Sequence, residues 1–380
     1  MTLPLVTQTS DFAQLRRSGS PYVDKTRLIY DMVSEEGYYL LTRPQGFGKS
    51  LLCSTLECLF KGRRELFEGL YIAEHTDYDF KPCPVIHLDF SRLDPHSPET
   101  VERSLRLMVR QQAAQNGVDL SRDDLSSYMM MEVLSSFDER CAIIIDEYDA
   151  PITYHFPDQE KMTRIREMFS SFYSVIKNMG SKVRFFFVTG VTKLTGLVIE
   201  RCNNLTDISM REGFSSVLGY TLHELVDSFG VFINDYLALG ECPYRGMGDL
   251  LAALDAHYAG YRFSPHGGNA VFKPSSIASF FSSCCRIEDY WEASGLTARA
   301  VQIARQKNLL PEHESRLPMV AAQSLSTFDM GGSSGQTISA SYIYALLFFT
   351  GCLTIRESVG RTSHLAYPNN EVLNTVSSLI

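Results

Sequence analysis

A chain of 380 residues with 44% apolar side chains has material for two domains or three, at roughly 150 residues each, with real cores. Its 35 basic against 44 acidic residues leave a formal charge of −9, which excludes an overall positive field for nucleic acid and leaves room only for a local basic groove. No apolar run reaches the length of about 18 residues that a membrane helix needs, the N-terminal segment MTLPLVTQTSDFAQLRR lacks the apolar centre of a secretory signal, and the cysteines show no zinc spacing. The sequence therefore predicts a soluble, cytoplasmic protein with no membrane partner and with reduced, mostly buried thiols.

The first half alternates short apolar runs with amphipathic stretches, the pattern of a parallel sheet covered by helices on both faces. Four runs are predicted as buried strands: 38–42 (YYLLT), 85–90 (VIHLDF), 142–146 (AIIID) and 183–189 (VRFFFVT). After the second, Ser97 and Pro98 supply an N-cap and a first helical position for a helix carrying Val101, Leu105 and Met108 and stopping near Gly117. Before the fourth, Met162, Ile165, Phe169, Phe172, Ile176 and Met179 recur at three-to-four spacing up to Gly180 and predict a second long helix. From about residue 215 the alternation fades. Thr221 and Glu224 form a capping box ahead of Leu225, Phe229 and Ile233, and the remainder reads as mainly helical, with loops at 262–270 and 328–337.

Directly after the first strand, Arg43, Pro44, Gln45, Gly46, Phe47, Gly48, Lys49 and Ser50 lead into a helix through Leu51, Leu52, Leu56 and Phe60. This is a variant of the phosphate-binding loop G-x-x-x-x-G-K-[ST], with Arg43 in place of the first glycine. Glycines let backbone N–H groups converge on phosphate oxygens at a helix N-terminus, where a lysine neutralises the β and γ phosphates and a serine hydroxyl ligates magnesium. The expected nucleotide contacts are Arg43, Gln45, Gly46, Phe47, Gly48, Lys49, Ser50 and Leu51, with Ser50 on the metal. An ordinary strand-to-helix turn is the plain alternative.

A second motif weighs against that alternative. Asp146 and Glu147 end the apolar run Ile143 to Ile145, and open α/β sheets build their sites at the carboxyl ends of strands. Asp146 is expected to hold magnesium through water and Glu147 to act as general base. Thr189, at the tip of the next strand, is a candidate for sensing the γ phosphate and positioning water, against a role as a turn cap. Lys193 and Arg201 are candidates for charge at the transition state, against simple solvation. His223 and Glu224 belong to the capping box and not to a zinc motif, since residue 227 is Asp. Lys61, Arg63 and Arg64 read as a solvated face, and Tyr290 and Trp291 as core or interface aromatics.

YVDKT (22–26), RPQGFGKSLLCSTLECLF (43–60), IIIDEYDAPI (143–152), FFVTGVTKL (186–194) and NNLTDIS (203–209) together resemble the prokaryotic AAA-ATPase-like proteins, and the resemblance continues through GYRF (260–263), KPSSI (273–277) and YPNNEV (367–372). In that family the ATPase domain is often followed by a PD-(D/E)XK nuclease domain. Members usually read RPRRFGKS, so Gln45 and Gly46 stand where two arginines are usual. The resemblance implies that Tyr22 to Lys25 approach the adenine. No Asp followed by an E-x-K pair on a strand is present, so nuclease activity is not expected in this chain, which ends at Ile380.

The expectation is a P-loop NTPase domain over residues 1–215, followed by a mainly α-helical domain over 216–380 that acts as a lid or partner-docking module. The reaction expected is magnesium-dependent hydrolysis of ATP to ADP and phosphate. A nucleotide-dependent switch with little hydrolysis, or a scaffold that has lost its nuclease partner domain, are the alternatives. A protein partner or a homo-oligomer is open, and nucleic acid finds no support in the net charge.

Overall fold

The computed structural model describes residues 9–379 apart from 122, 195–196, 198–204, 239–242, 312–316, 327 and 329–337. The helices of the first half are α1 (Phe12–Ser18), α2 (Thr26–Val33), α3 (Lys49–Phe60), α4 (Tyr71–Glu74), α5 (Pro98–Gln115), α6 (Ser126–Ser136), α7 (Ala150–Thr153) and α8 (Gln159–Asn178). They surround strands β1 (Gly37–Thr42), β2 (Val85–Asp89), β3 (Cys141–Asp146), β4 (Val183–Gly190) and β5 (Leu205–Asp207). The five strands form one sheet in the order β2-β3-β4-β1-β5, with every pairing parallel. The fold is the predicted α/β P-loop NTPase type, and the short edge strand β5 is an addition to the four strands expected.

Burial follows composition. Every residue of β3 is buried, as a β-branched run between two parallel neighbours requires. The long helices start where their caps predict: Ser97 and Thr100 form a reciprocal capping box at α5, and the Asp158 carboxylate accepts from the Lys161 N–H at α8. Register places Asp89 beside Asp146 and Leu41 beside Thr189, so the carboxyl ends of the strands form a common edge where the loop after β1 begins.

The second half contains α9 (Leu222–Ala238), α10 (Met247–Tyr258), α11 (Pro274–Ser282), α12 (Gly295–Gln306), α13 (Ala322–Ser326), α14 (Ala340–Phe349) and α15 (Asn370–Ser378). It also holds a three-stranded antiparallel sheet, β6 (Met319–Ala321), β7 (Thr354–Val359) and β8 (Thr362–Ala366), in the order β6-β8-β7. The mainly helical reading omits this sheet. Thr221 and Glu224 cap α9 reciprocally, with Thr221 N–H donating to Glu224 Oε2 at 2.8 Å. The main hydrophobic core runs without a break from Phe12 through the parallel sheet to Phe348 and Val376, and a smaller one gathers Leu225, Phe229, Leu254 and Phe280. The loop at 262–270 is as expected, whereas most of 328–337 lies outside the described residues.

Arg43 joins the two halves. Its guanidinium is fully buried and donates to the carbonyls of Thr42 (2.8 Å), Ser209 (2.7 Å) and Phe214 (3.0 Å), with the Phe263 ring 4.1 Å from its central carbon. Burial lowers its pKa to about 9, partly opposed by the charge of Asp207, and at neutral pH it stays protonated. Arg43→Met leaves these carbonyls without their charged donor and is expected to lower the unfolding free energy by roughly 3 kcal/mol. Urea unfolding followed by circular dichroism measures the change, and Arg43→Lys, which lacks the planar fork, is expected to recover only part of it.

Candidate functional site

The loop after β1 reverses direction through Gly46 at φ +82° and Gly48 at φ +91°, conformations that residues with a Cβ adopt at a cost. Gly48 is the N-cap of α3 and offers no side-chain acceptor. The backbone N–H groups of Lys49, Ser50 and Leu51 carry no hydrogen bond to a carbonyl among the described residues. These are the free donors of a helix N-terminus, aligned with the positive end of its dipole.

Across the loop stands the end of β3. Lys49 Nζ lies 3.1 Å from Glu147 Oε1 and 3.2 Å from the Arg43 carbonyl, and the lysine is buried. The two motifs that the sequence places far apart thus meet in one ion pair. Asp146 is also buried, and burial raises its carboxyl pKa, with Glu147 adding to the rise and the nearby Ser50 hydroxyl opposing it. Ser50 and Asp146 border a cavity of about 530 Å³ that also holds Glu57, His87 and Asp89. A hydroxyl and a carboxylate side by side suit a hard divalent cation that completes its shell with phosphate oxygens and water. Among the described residues no group of three or more His, Cys, Asp and Glu side chains is placed to hold a metal without such help.

Glu147 has φ +49°, a left-handed backbone that costs a side-chain-bearing residue about 1–3 kcal/mol. The turn is held by the Tyr148 N–H donating to the Thr189 carbonyl at 3.0 Å and by Asp149. The Asp149 carboxylate is buried and accepts from the N–H groups of Val191 (3.1 Å) and Thr192 (2.6 Å) and from the Thr192 hydroxyl (2.7 Å). Burial and the charge of Glu147 push its pKa up, and these hydrogen bonds oppose them. Sequence reasoning missed Asp149, although a third acidic residue in IIIDEYD, ahead of a helix turn, is the available signal.

The other expected residues sort themselves by what their side chains touch. Leu51 borders an apolar pocket with Tyr22, Val23, Lys25, Gly48 and Leu218, and Gln45 is exposed. The Phe47 side chain is buried edge-on against Tyr261 and Phe263. The Arg43 guanidinium serves the carbonyls described above. The Thr189 hydroxyl donates to the Leu41 carbonyl at 2.7 Å, inside the sheet. Lys193 is buried, with Nζ 2.6 Å from Asp207 Oδ2, so its charge is neutralised within the chain; it is not on a solvated surface. Arg201 lies outside the described residues.

A family profile described as a predicted AAA-ATPase matches residues 7–199, from α1 past the β4 strand. The chain belongs to this AAA-ATPase-like family. Membership makes it a P-loop protein of the nucleotide-binding ATPase kind in general. A relative described as an uncharacterized protein in the vnfD 5′ region of Azotobacter chroococcum mcd 1 is 28% identical over 379 residues, which cover 97% of this chain and 68% of that protein. Among solved structures, that of the Aeropyrum pernix ORC1 protein in complex with DNA is similar at a TM-score of 0.34 and 12% identity, over 93% of this chain and 91% of that one. No helix among the described residues of this family member is long and apolar enough to cross a membrane.

Asp149→Ala removes the acceptor from three donors at once, two of them backbone groups. It is expected to cost about 3 kcal/mol or more of stability, read from urea unfolding, and to raise the amide exchange rate of Val191 and Thr192.

Proposed function

We propose that the protein binds ATP together with magnesium and hydrolyses it to ADP and phosphate. The observation that carries this reading is the 3.1 Å contact between Lys49 and Glu147, which puts a phosphate-neutralising cation and a carboxylate base at the same point. The free amides of Lys49 to Leu51 hold the phosphate oxygens at the α3 N-terminus. Lys49 turns from Glu147 to the β and γ phosphates, and the released Glu147 carboxylate orients a water and takes its proton on Oε1. Ser50 and Asp146 are the residues that would hold magnesium, which supplies positive charge to the phosphates when bound.

The base is assigned to the apolar pocket beside Gly48. Its lining includes Tyr22, Val23 and Lys25, and the Lys25 ammonium is fixed by Glu224 at 2.6 Å and by the Ser216 carbonyl at 2.7 Å. In this reading residues 1–215 carry the phosphate chemistry, and 216–380 form the covering module. The support for that division is the close packing of second-half residues on the loop, with Leu218 3.9 Å from the point where a Cβ on Gly48 would stand.

Mg-ATP binding and steady-state hydrolysis by wild type, Lys49→Ala and Glu147→Gln test the proposal. Lys49→Ala is expected to lose measurable ATP binding. Glu147→Gln is expected to bind ATP while kcat falls by roughly 10²–10⁴-fold, the usual contribution of a general base. Turnover by Glu147→Gln at the wild-type rate would remove the base assignment.

A further inference from the structure

Five cationic side chains are buried among the described residues: Lys25, Arg43, Lys49, Lys193 and Lys273. Four have partners. Lys25 pairs with Glu224, Lys49 with Glu147 and Lys193 with Asp207, while Arg43 binds backbone carbonyls. The Lys273 ammonium receives no hydrogen bond acceptor and no ion pair within 4 Å among the described residues. Its nearest aromatic neighbour is the Trp291 ring, 5.8 Å from Nζ, and the carboxylates of Glu371 and Glu292 act on it only from further away. Burial lowers its pKa to about 8 against the pull of those two carboxylates. The stem of Lys273 is buried but its Nζ is not sealed from solvent, so water meets its donors; what the ammonium lacks is a fixed protein acceptor, since the cation–π contact lies at the outer limit of range.

Its position says what is missing. Lys273 is the N-cap of α11, and its Cε lies 2.7 Å from the point where a Cβ on Gly46 would stand; Ser275 Oγ reaches the same point. The Ser275 N–H donates to the Gly46 carbonyl at 3.1 Å. Gly46 therefore has no side chain because Lys273 and Ser275 occupy that space. We infer that Lys273 is a second phosphate-binding cation, supplied by the second half of the chain and laid over Gly46 to meet the phosphates of bound ATP. The inference rests on the proposed phosphate site and adds a contact to it. Of the cations buried around the loop, Lys273 is the one that binds polyphosphate without first giving up a partner.

The test uses the full chain and two readouts. Dissociation constants for Mg-ATP and AMP are measured by calorimetry on wild type, Lys273→Met, Lys273→Arg and Lys49→Ala. Separately, wild type is treated with an acyl-phosphate derivative of ATP, which acylates lysines within reach of the phosphates, and the modified peptides are identified by mass spectrometry. The expected results are tenfold or greater weakening of Mg-ATP binding in Lys273→Met with AMP binding unchanged, recovery in Lys273→Arg, and labelling of Lys273 that excess ATP suppresses. Wild-type ATP affinity in a folded Lys273→Met, or labelling confined to other lysines, overturns this inference while loss of binding in Lys49→Ala leaves the phosphate site standing. Should Lys49→Ala also bind ATP like wild type, or should wild type bind none, the phosphate site fails and this inference fails with it. If Lys273→Met does not fold, the labelling of wild type decides alone.

Discussion

The structure depends on how a phosphate loop with unsatisfied amides is kept in shape. Its helix N-terminus has free N–H groups, two residues at positive φ, and a lysine folded back onto the loop's own carbonyls, none of which is self-sustaining. The rigidity comes from outside the loop. Arg43 fastens its entry to the 209–215 segment and to Phe263, Pro44 packs on Gly351, and Phe47 packs edge-on against the stacked rings of Tyr261 and Phe263. In a loop built on G-x-x-x-x-G-K-[ST], an arginine at the first glycine position looks like a defect. Here that arginine is the fastening, and the hydrogen bonds of a buried guanidinium to three carbonyls offset the cost of taking its charge out of water.

The same logic operates on the other side of the site. Glu147 is held in a left-handed conformation at the end of a fully buried strand, and strain of this kind persists only where neighbours over-determine it. Asp149 and Tyr148 do so by reaching across to the chain after β4: Asp149 binds Val191 and Thr192, and the Tyr148 hydroxyl donates to the Thr192 carbonyl at 2.9 Å. Gly190 leaves the space for them, since a Cβ there would meet the Tyr148 ring at 2.7 Å. The carboxylate that faces Lys49 is thus tied, through two residues of one turn, to the strand between β1 and β3. A shift at Glu147 on nucleotide binding would be felt at Thr192 and, through the adjoining Lys193, at Asp207 on the edge strand.

What the sequence disclosed follows from which interactions are local. The four long strands, α5 and α8 are each specified by their own periodicity and caps, and the two short motifs at strand ends that hold Lys49, Ser50, Asp146 and Glu147 are brought together as their positions in a parallel sheet require. Thr189, Phe47 and Arg43 were read by analogy with what such positions touch in a standard loop, and their side chains are instead engaged by residues more than a hundred positions away, which no window reveals. The β7–β8 hairpin carried one faint signal, Gly360 at a two-residue turn between Val359 and Thr362, but Arg356, Glu357 and Ser358 break the alternation on which a strand reading relies. Lys273 entered only as the first residue of KPSSI, one of the segments that carry the resemblance, with no role attached to it. A lysine before a proline at a helix start is ordinary until the fold sets it against Gly46.

Charge then orders the events at the site. In the arrangement described, Lys49 and Glu147 neutralise one another, so a polyphosphate entering the loop must either separate them or meet the amides first. Amides at a helix N-terminus bear only partial charge, whereas an ammonium bears a full one, and an incoming anion is drawn first to whichever full charge is unpaired. With Arg43, Lys25 and Lys193 already bound to groups of the chain, the cation proposed to answer first is Lys273, at the start of α11 and outside the β1–α3 loop. Phosphate held there would pull Lys49 from Glu147 only once its terminal oxygens reach the loop, and a nucleotide lacking those oxygens would leave the pair closed. On the proposed hydrolysis, the Glu147 carboxylate would then be freed by the nucleotide that needs it and stay covered in the presence of a monophosphate.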